Sequence, residues 1–160
     1  MIGVGAVVWR DGRVLLVKRA KPPCQGQWSL PGGLQEVGET VGEAVRRELA
    51  EEAALTIEIL GIVDVLDYIE RDDEGRVHYH YTLIDMLALA PEGEAVAGGD
   101  AAETAWFRPE DLATLALPPG TERVVRKAGE MLRQERPDAS QGPGCSARQD
   151  SCSSAEVPGR

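Results

Sequence analysis

Five glutamates (Glu39, Glu43, Glu48, Glu51 and Glu52) fall in a stretch that otherwise reads as one amphipathic helix. At about 100° per residue, Val41, Val45, Glu48 and Glu52 share one stripe, so the apolar face turns acidic halfway along. Glu48, Glu51 and Glu52 form an i, i+3, i+4 triplet with side chains roughly 5–6 Å apart, and each like-charged pair costs an isolated helix about 0.2–0.5 kcal/mol. Burial raises that cost, because desolvation disfavours ionised carboxylates. Such a cluster suits a hard divalent cation, Mg2+ or Mn2+, which takes oxygen ligands and keeps waters that phosphate oxygens can replace. The plainer alternative is a solvated charged face, although these acids interrupt the apolar stripe. Arg47 is either a surface partner of Glu43 or Glu51, worth little, or the group that holds the carboxylates in ligand geometry.

The elements around this helix follow from local signals. Gly3–Trp9 and Arg13–Arg19 are apolar, β-branched runs split by a turn at Asp11–Gly12, which predicts a hairpin. A loop rich in Pro, Gly and Gln leads to a short strand at Trp28–Leu30, and Pro31–Gly33 reads as a turn or tight loop. Thr40 is the expected N-cap of a helix over Val41–Ala53. Strands are expected over Thr56–Ile69 and Val77–Ala90, joined by a hairpin loop with Gly75 at its turn, and Gly61 suggests a bulge. A short strand at Thr104–Phe107, a short helix opened by Pro109 and a longer helix over Thr121–Arg136 complete the domain. The order predicts an α/β fold of the α+β type: a mixed sheet with helices on its faces. We expect one domain over residues 1–136 and a disordered Ser/Gly/Pro-rich tail over 137–160, too poor in apolar residues to offset its ordering entropy.

The 160 residues carry a formal net charge of -10, which argues against binding nucleic-acid backbone or anionic membrane. A phosphate ligand would need a cation as intermediary. No apolar run approaches a membrane span, and the N-terminal stretch has neither the basic start nor the cleavage site of a signal peptide, so a cytoplasmic location is expected. Cys24, Cys145 and Cys152 lack the spacing of a disulfide framework or a zinc site.

Gly33, Glu39 and the run Arg47-Glu48-Leu49-Ala50-Glu51-Glu52-Ala53-Ala54-Leu55 resemble the signature of the Nudix (MutT-like) hydrolases, G-x5-E-x7-R-E-U-x-E-E-x-G-U with U aliphatic. Ala54 replaces the final glycine. If that position is a left-handed helix cap, alanine costs about 1 kcal/mol there or lets the helix run on. The resemblance implies the Nudix α/β/α sandwich, with a mixed sheet between the acidic helix and a C-terminal helix. It also implies Mg2+- or Mn2+-dependent hydrolysis of a nucleoside diphosphate linked to another group, with water attacking phosphorus. Glu48, Glu51 and Glu52 would hold metal, together with the Gly32 carbonyl, and Glu39 would support them.

The resemblance implies a general base drawn from the helix glutamates or a later loop, where Asp100 and Glu103 lie in a Gly/Ala-rich segment expected to close over substrate. Arg19 or Lys18 could reach a phosphate, and Gly32 and Gly33 would lie along the substrate. Trp28 either packs in the core or borders the substrate, whereas Trp106 and Phe107 read as core. His78 and His80 should share one sheet face and Tyr79 and Tyr81 the other. A small nucleotide is the expected substrate, turned over by a monomer or homodimer. Proline is absent between Pro31 and Pro91, which lowers the ADP-ribose reading relative to a nucleoside triphosphate, and no motif for coenzyme A hydrolysis is evident. A non-catalytic Nudix-like sensor or regulator that binds a nucleotide is the alternative, against which the full set of glutamates speaks.

Overall fold

The computed structural model describes residues 1–21 and 25–135. Cys24, the boundary at Arg136 and the Ser/Gly/Pro-rich segment lie outside the described residues. The elements are β1 (Ile2–Arg10), β2 (Arg13–Arg19), β3 (Trp28–Ser29), β4 (Gly32–Leu34), α1 (Val41–Ala53), β5 (Glu58–Arg71), β6 (Val77–Leu89), β7 (Ala101–Phe107), a 3₁₀ helix (Pro109–Thr114) and α2 (Thr121–Glu135).

β1 and β2 form the expected hairpin. Asp11 and Gly12 both take positive φ, 49° and 72°, the two-residue turn whose twist matches the strands and sets Trp9 opposite Val14. Beyond that register the strands part. β1 turns to β4, with Gly3–Gly5 opposite Gly32–Leu34 in antiparallel register, while β2 takes β3 and β7 as antiparallel partners. The other edge of β1 pairs in parallel with β6, from Ile2 opposite Thr82 to Trp9 opposite Leu89. β5 returns antiparallel on β6, and the register slips between Ile59 and Gly61, the bulge expected at that glycine. The result is a seven-stranded mixed sheet.

Alternation along the strands splits the core in two. Val4, Ala6 and Val8 of β1 and Leu15 of β2 pack under Val45, Leu49 and Ala53 of α1. Val7, Trp9, Val14 and Leu16 face the opposite way, onto Val124, Val125 and Ala128 of α2. Helix, sheet and helix therefore stack as the expected sandwich. Among the described residues no helix is long and apolar enough to cross a membrane.

Two elements differ from the sequence reading. Gly32 and Gly33 belong to a strand rather than a turn: Gly32, at φ 149°, lies so close to β1 that a Cβ would strike the Val4 carbonyl oxygen. Glycines carry no side-chain alternation from which a strand can be read. β7 begins at Ala101, so Glu103 stands in a strand.

Candidate active site

α1 is fixed at both ends by its own sequence. The Thr40 hydroxyl accepts from the Glu43 amide, and the Glu43 carboxylate accepts from the Thr40 amide at 2.8 Å, a reciprocal cap. Those bonds from the Thr40 backbone and hydroxyl hold the Glu43 carboxyl below its ordinary range. Glu43 is therefore committed to the cap. At the other end Ala54 adopts the left-handed conformation, φ 53° and ψ 31°, with the Leu55 amide bonded to the Leu49 carbonyl at 3.3 Å. The helix stops where a glycine would have stopped it.

Between these ends the acids divide by environment. Glu52 is 7% exposed and accepts one hydrogen bond from the Gly32 amide at 2.9 Å. Burial pushes its carboxyl up to about 7, and the nearby charges of Glu48 and Asp100 add to this, while the Gly32 bond and Arg19 pull the other way. The Glu48 carboxylate lies against Gly33, in the space a Cβ would fill. Arg47 joins the rest. Its Nε and Nη2 donate to the two Glu39 oxygens at 2.7 and 3.1 Å. Nη2 also reaches the Leu34 carbonyl at 2.9 Å, and Nη1 reaches Glu48 at 2.8 Å and Glu51 at 3.5 Å. The bonds to Glu39 and then Glu48 raise the guanidinium pKa further, and the Arg47 bond is the main cause of a lowered Glu39. Arg47 is thus a bracket tying β4, the loop before α1 and the helix together.

Among the described residues no group of three or more His, Cys, Asp or Glu side chains converges closely enough to hold a metal ion. Glu48 and Glu51 point to Arg47, and Glu52 points to Gly32. The donor chemistry nevertheless fits a hard cation, because the set is all oxygen and includes a buried carboxylate whose ionised form burial disfavours. Coordination would require Glu48 and Glu51 to turn from Arg47 toward Glu52.

The expected lid is anchored. The Val96 and Gly98 amides donate to the Ala53 and Glu52 carbonyls at 2.9 and 3.2 Å. A Cβ on Gly98 would come 2.7 Å from the Glu51 carbonyl oxygen. This strap uses the free carbonyls of the helix end and sets Asp100 near Glu52, with its side chain 2.5 Å from Lys21. Glu103 is placed elsewhere. It pairs with Lys18 at 3.3 Å, and Lys18 lies over the Trp28 ring, 5.6 Å from its centroid. Trp28 in turn meets Phe107 edge-on at 5.0 Å in the core layer shared with α2. The fold therefore gathers Arg47, Glu48, Glu51, Glu52, Gly32, Gly33, Arg19 and Asp100, and sets Glu103 and Trp28 apart. His78 and His80 point to Glu70 and Asp67 on exposed β5, at 3.8 and 3.2 Å.

A cavity of about 290 Å³ opens beside this cluster, bordered by Arg19, Gly32 and Gly33 and running over Gly3 and Gly5 to Asp85 and Thr121. Burial raises the Asp85 carboxyl pKa, Asp64 adds to the rise and Arg123 opposes it. Sequence reading missed Asp85. The available signal was glycine at alternate positions, Gly3 and Gly5, in an otherwise bulky strand, a mark of close approach by another group.

The family described as "NUDIX domain" matches residues 1–128. The protein is 36% identical over 125 residues to an ADP-ribose pyrophosphatase of Methanocaldococcus jannaschii, spanning 78% of this chain and 70% of that one. It is 31% identical over 135 residues to the nucleoside triphosphatase NudI of Salmonella arizonae, spanning 77% of this chain and 92% of that one. Among solved structures, a MutT NUDIX hydrolase from Burkholderia pseudomallei superposes with a TM-score of 0.67 at 34% identity, covering 79% of this chain and 95% of the other. The chain belongs to the Nudix hydrolases, a family that generally needs a divalent metal.

Proposed function

We propose that this protein hydrolyses a pyrophosphate bond in a nucleoside diphosphate linked to another moiety, ADP-ribose or a nucleoside triphosphate, using Mg2+ or Mn2+. The observation that carries this reading is Glu52: a buried carboxylate at the meeting point of Gly32, Glu48, Arg19 and Asp100, with its pKa raised to about 7. Glu48, Glu51, Glu52 and the Gly32 carbonyl would hold the metal, which when bound neutralises bridging phosphate charge and lowers the pKa of water. Arg47 ties Glu39 and β4 to the helix while Glu48 and Glu51 turn from it toward Glu52, and Gly32 and Gly33 let the phosphates approach the backbone. Arg19 supplies positive charge at the cavity rim. The proton of the attacking water passes to a carboxylate on this side of the sheet. The position of Glu103, beside Lys18 and Trp28, favours Asp100 or a helix glutamate for that step. The likeness to an ADP-ribose pyrophosphatase and to a nucleoside triphosphatase supports both substrate classes. Turnover by a monomer or homodimer in the cytoplasm is part of the same proposal.

The test is a phosphate- and nucleotide-release screen of the purified protein with Mg2+ against ADP-ribose, other nucleotide sugars, dinucleoside polyphosphates and dNTPs. Metal-dependent cleavage of one class is expected. Tight binding of a nucleotide without turnover would replace this reading with that of a nucleotide sensor or regulator.

A further inference from the structure

The cavity beside the helix acids has one carboxylate of its own at the far end. A Cβ on Gly5 would overlap the Asp85 carboxylate, and one on Gly3 would come 2.6 Å from Leu83 Cδ2. The two glycines therefore create the room in which the carboxyl lies over the β1 backbone, facing a cavity walled by Leu66, Leu83, Val124, Pro118 and Pro119. Asp85 is half-buried, and none of the described residues donates it a hydrogen bond. The positive charge that acts on it, Arg123, is already paired with Asp64 at 2.8 Å. A half-buried carboxylate without donors carries a desolvation cost that a ligand N–H can offset.

The charges also fix which end of a nucleotide fits where. The rim at Arg19, Gly32 and Gly33 adjoins the metal-binding acids and suits phosphates. The Asp85 end repels phosphate, and its apolar walls suit a flat uncharged ring. An ionised carboxylate has acceptors only, so the ring must present N–H groups. Building on the nucleotide reading above, we infer that Asp85 selects nucleotides whose base carries an exocyclic amine, which donates to its carboxylate from the ring held between Leu83 and Val124. Adenine and guanine both supply such an amine. Hypoxanthine lacks both amines, keeps the ring N1–H that guanine also has, and brings a keto oxygen in place of the adenine amine, so the comparison with IMP reads the exocyclic amine apart from the ring N–H.

The test is equilibrium binding of AMP, GMP and IMP to the full-length protein, compared with Asp85→Asn and Gly5→Ala, alongside KM and kcat for the matching substrates. Wild type should bind AMP or GMP at least ten-fold more tightly than IMP, and the preferred monophosphate tells which amine is read. Asp85→Asn offers an amide donor as well as an acceptor. It should narrow the preference to about two-fold, mainly in KM, without lowering the melting temperature. Gly5→Ala, which displaces the carboxylate, should narrow it as well. Equal binding of all three nucleotides by wild type, no binding of any, or a preference unchanged in folded Asp85→Asn would overturn the inference. Absence of turnover on every nucleotide would overturn the proposed function alone, because the preference is read from binding.

Discussion

Glu52→Gln separates the electrostatics of the site from its packing. Glutamine keeps the volume of Glu52 and an oxygen for the Gly32 amide, and removes the charge. In the wild type the carboxyl moves from an ordinary 4.5 to about 7 on folding, chiefly by burial. The sign follows from linkage. Below the unfolded value both states hold the proton and Glu52 contributes nothing to pH dependence. As pH rises through the window to about 7, the unfolded chain ionises first, so native stability falls, and it levels off once the folded carboxyl has ionised. A gap of this size is worth about 3 kcal/mol as an upper bound, or on the order of 10 °C in Tm for a domain of this length. In EDTA, the stability of Glu52→Gln relative to wild type should therefore climb by 1–3 kcal/mol (~) between pH 4.5 and pH 8. Denaturant melts of both proteins across that range measure it, and a parallel pH dependence in the two would refute the assignment of a buried, uncompensated charge. With Mg2+ the order should reverse, because only wild type offers the full ligand set, and turnover of the variant should fall by at least about 100-fold.

Ala54→Gly should raise stability by about 1 kcal/mol, because the left-handed cap then carries no Cβ; an unchanged thermal melt would contradict the cap. Gly33→Ala should cut kcat by about 100-fold while the protein remains folded, since the new methyl occupies the place of the Glu48 carboxylate, and near-normal steady-state rates would show that Glu48 works from another position. Mg2+ should stabilise wild type by about 2.7 kcal/mol at one hundred times its Kd. Ca2+ should stabilise too but support turnover poorly, whereas NaCl at matched ionic strength should do much less; equal melting shifts in all three would return the acids to a solvated face.

What was legible in the sequence was local. Thr40 and the Val41–Ala53 span stand as expected because a cap is settled within a few residues, and the bulge at Gly61 was marked by the glycine itself. The partner of Arg47 was harder. Helical spacing offered Glu43 and Glu51, but Glu43 is bound at the cap, and the bidentate partner is Glu39, outside the helix and reached only after the chain has turned. The segment before β7 looked free because its composition is small and flexible. Its amides are held by carbonyls of the α1 end, a contact no local pattern announces. Asp85 was harder for the same reason: Gly3 and Gly5 mark a close approach, but which acid approaches is settled only by the register that sets Asp85 opposite Gly5.

That parallel register of β1 with β6 also governs how the molecule assembles. The β1–β2 and β5–β6 hairpins join neighbours in sequence and can close early, whereas the β1–β6 pairing closes a loop of about half the chain and carries the larger entropy cost. Arg10 then fastens the crossing, donating to the carbonyl of Ala90, 80 residues away, at 2.6 Å while lying over Trp106. The hairpins should consequently acquire protection first in pulsed hydrogen exchange, with the β1 amides that face β6 following; simultaneous protection would refute this order. During synthesis the acidic helix emerges before its sheet is complete. The stretch Gly3–Gly5, paired with β4 and β6 and not with β2, is among the last parts to set, so a lesion there should slow maturation of the whole site while leaving both hairpins able to form.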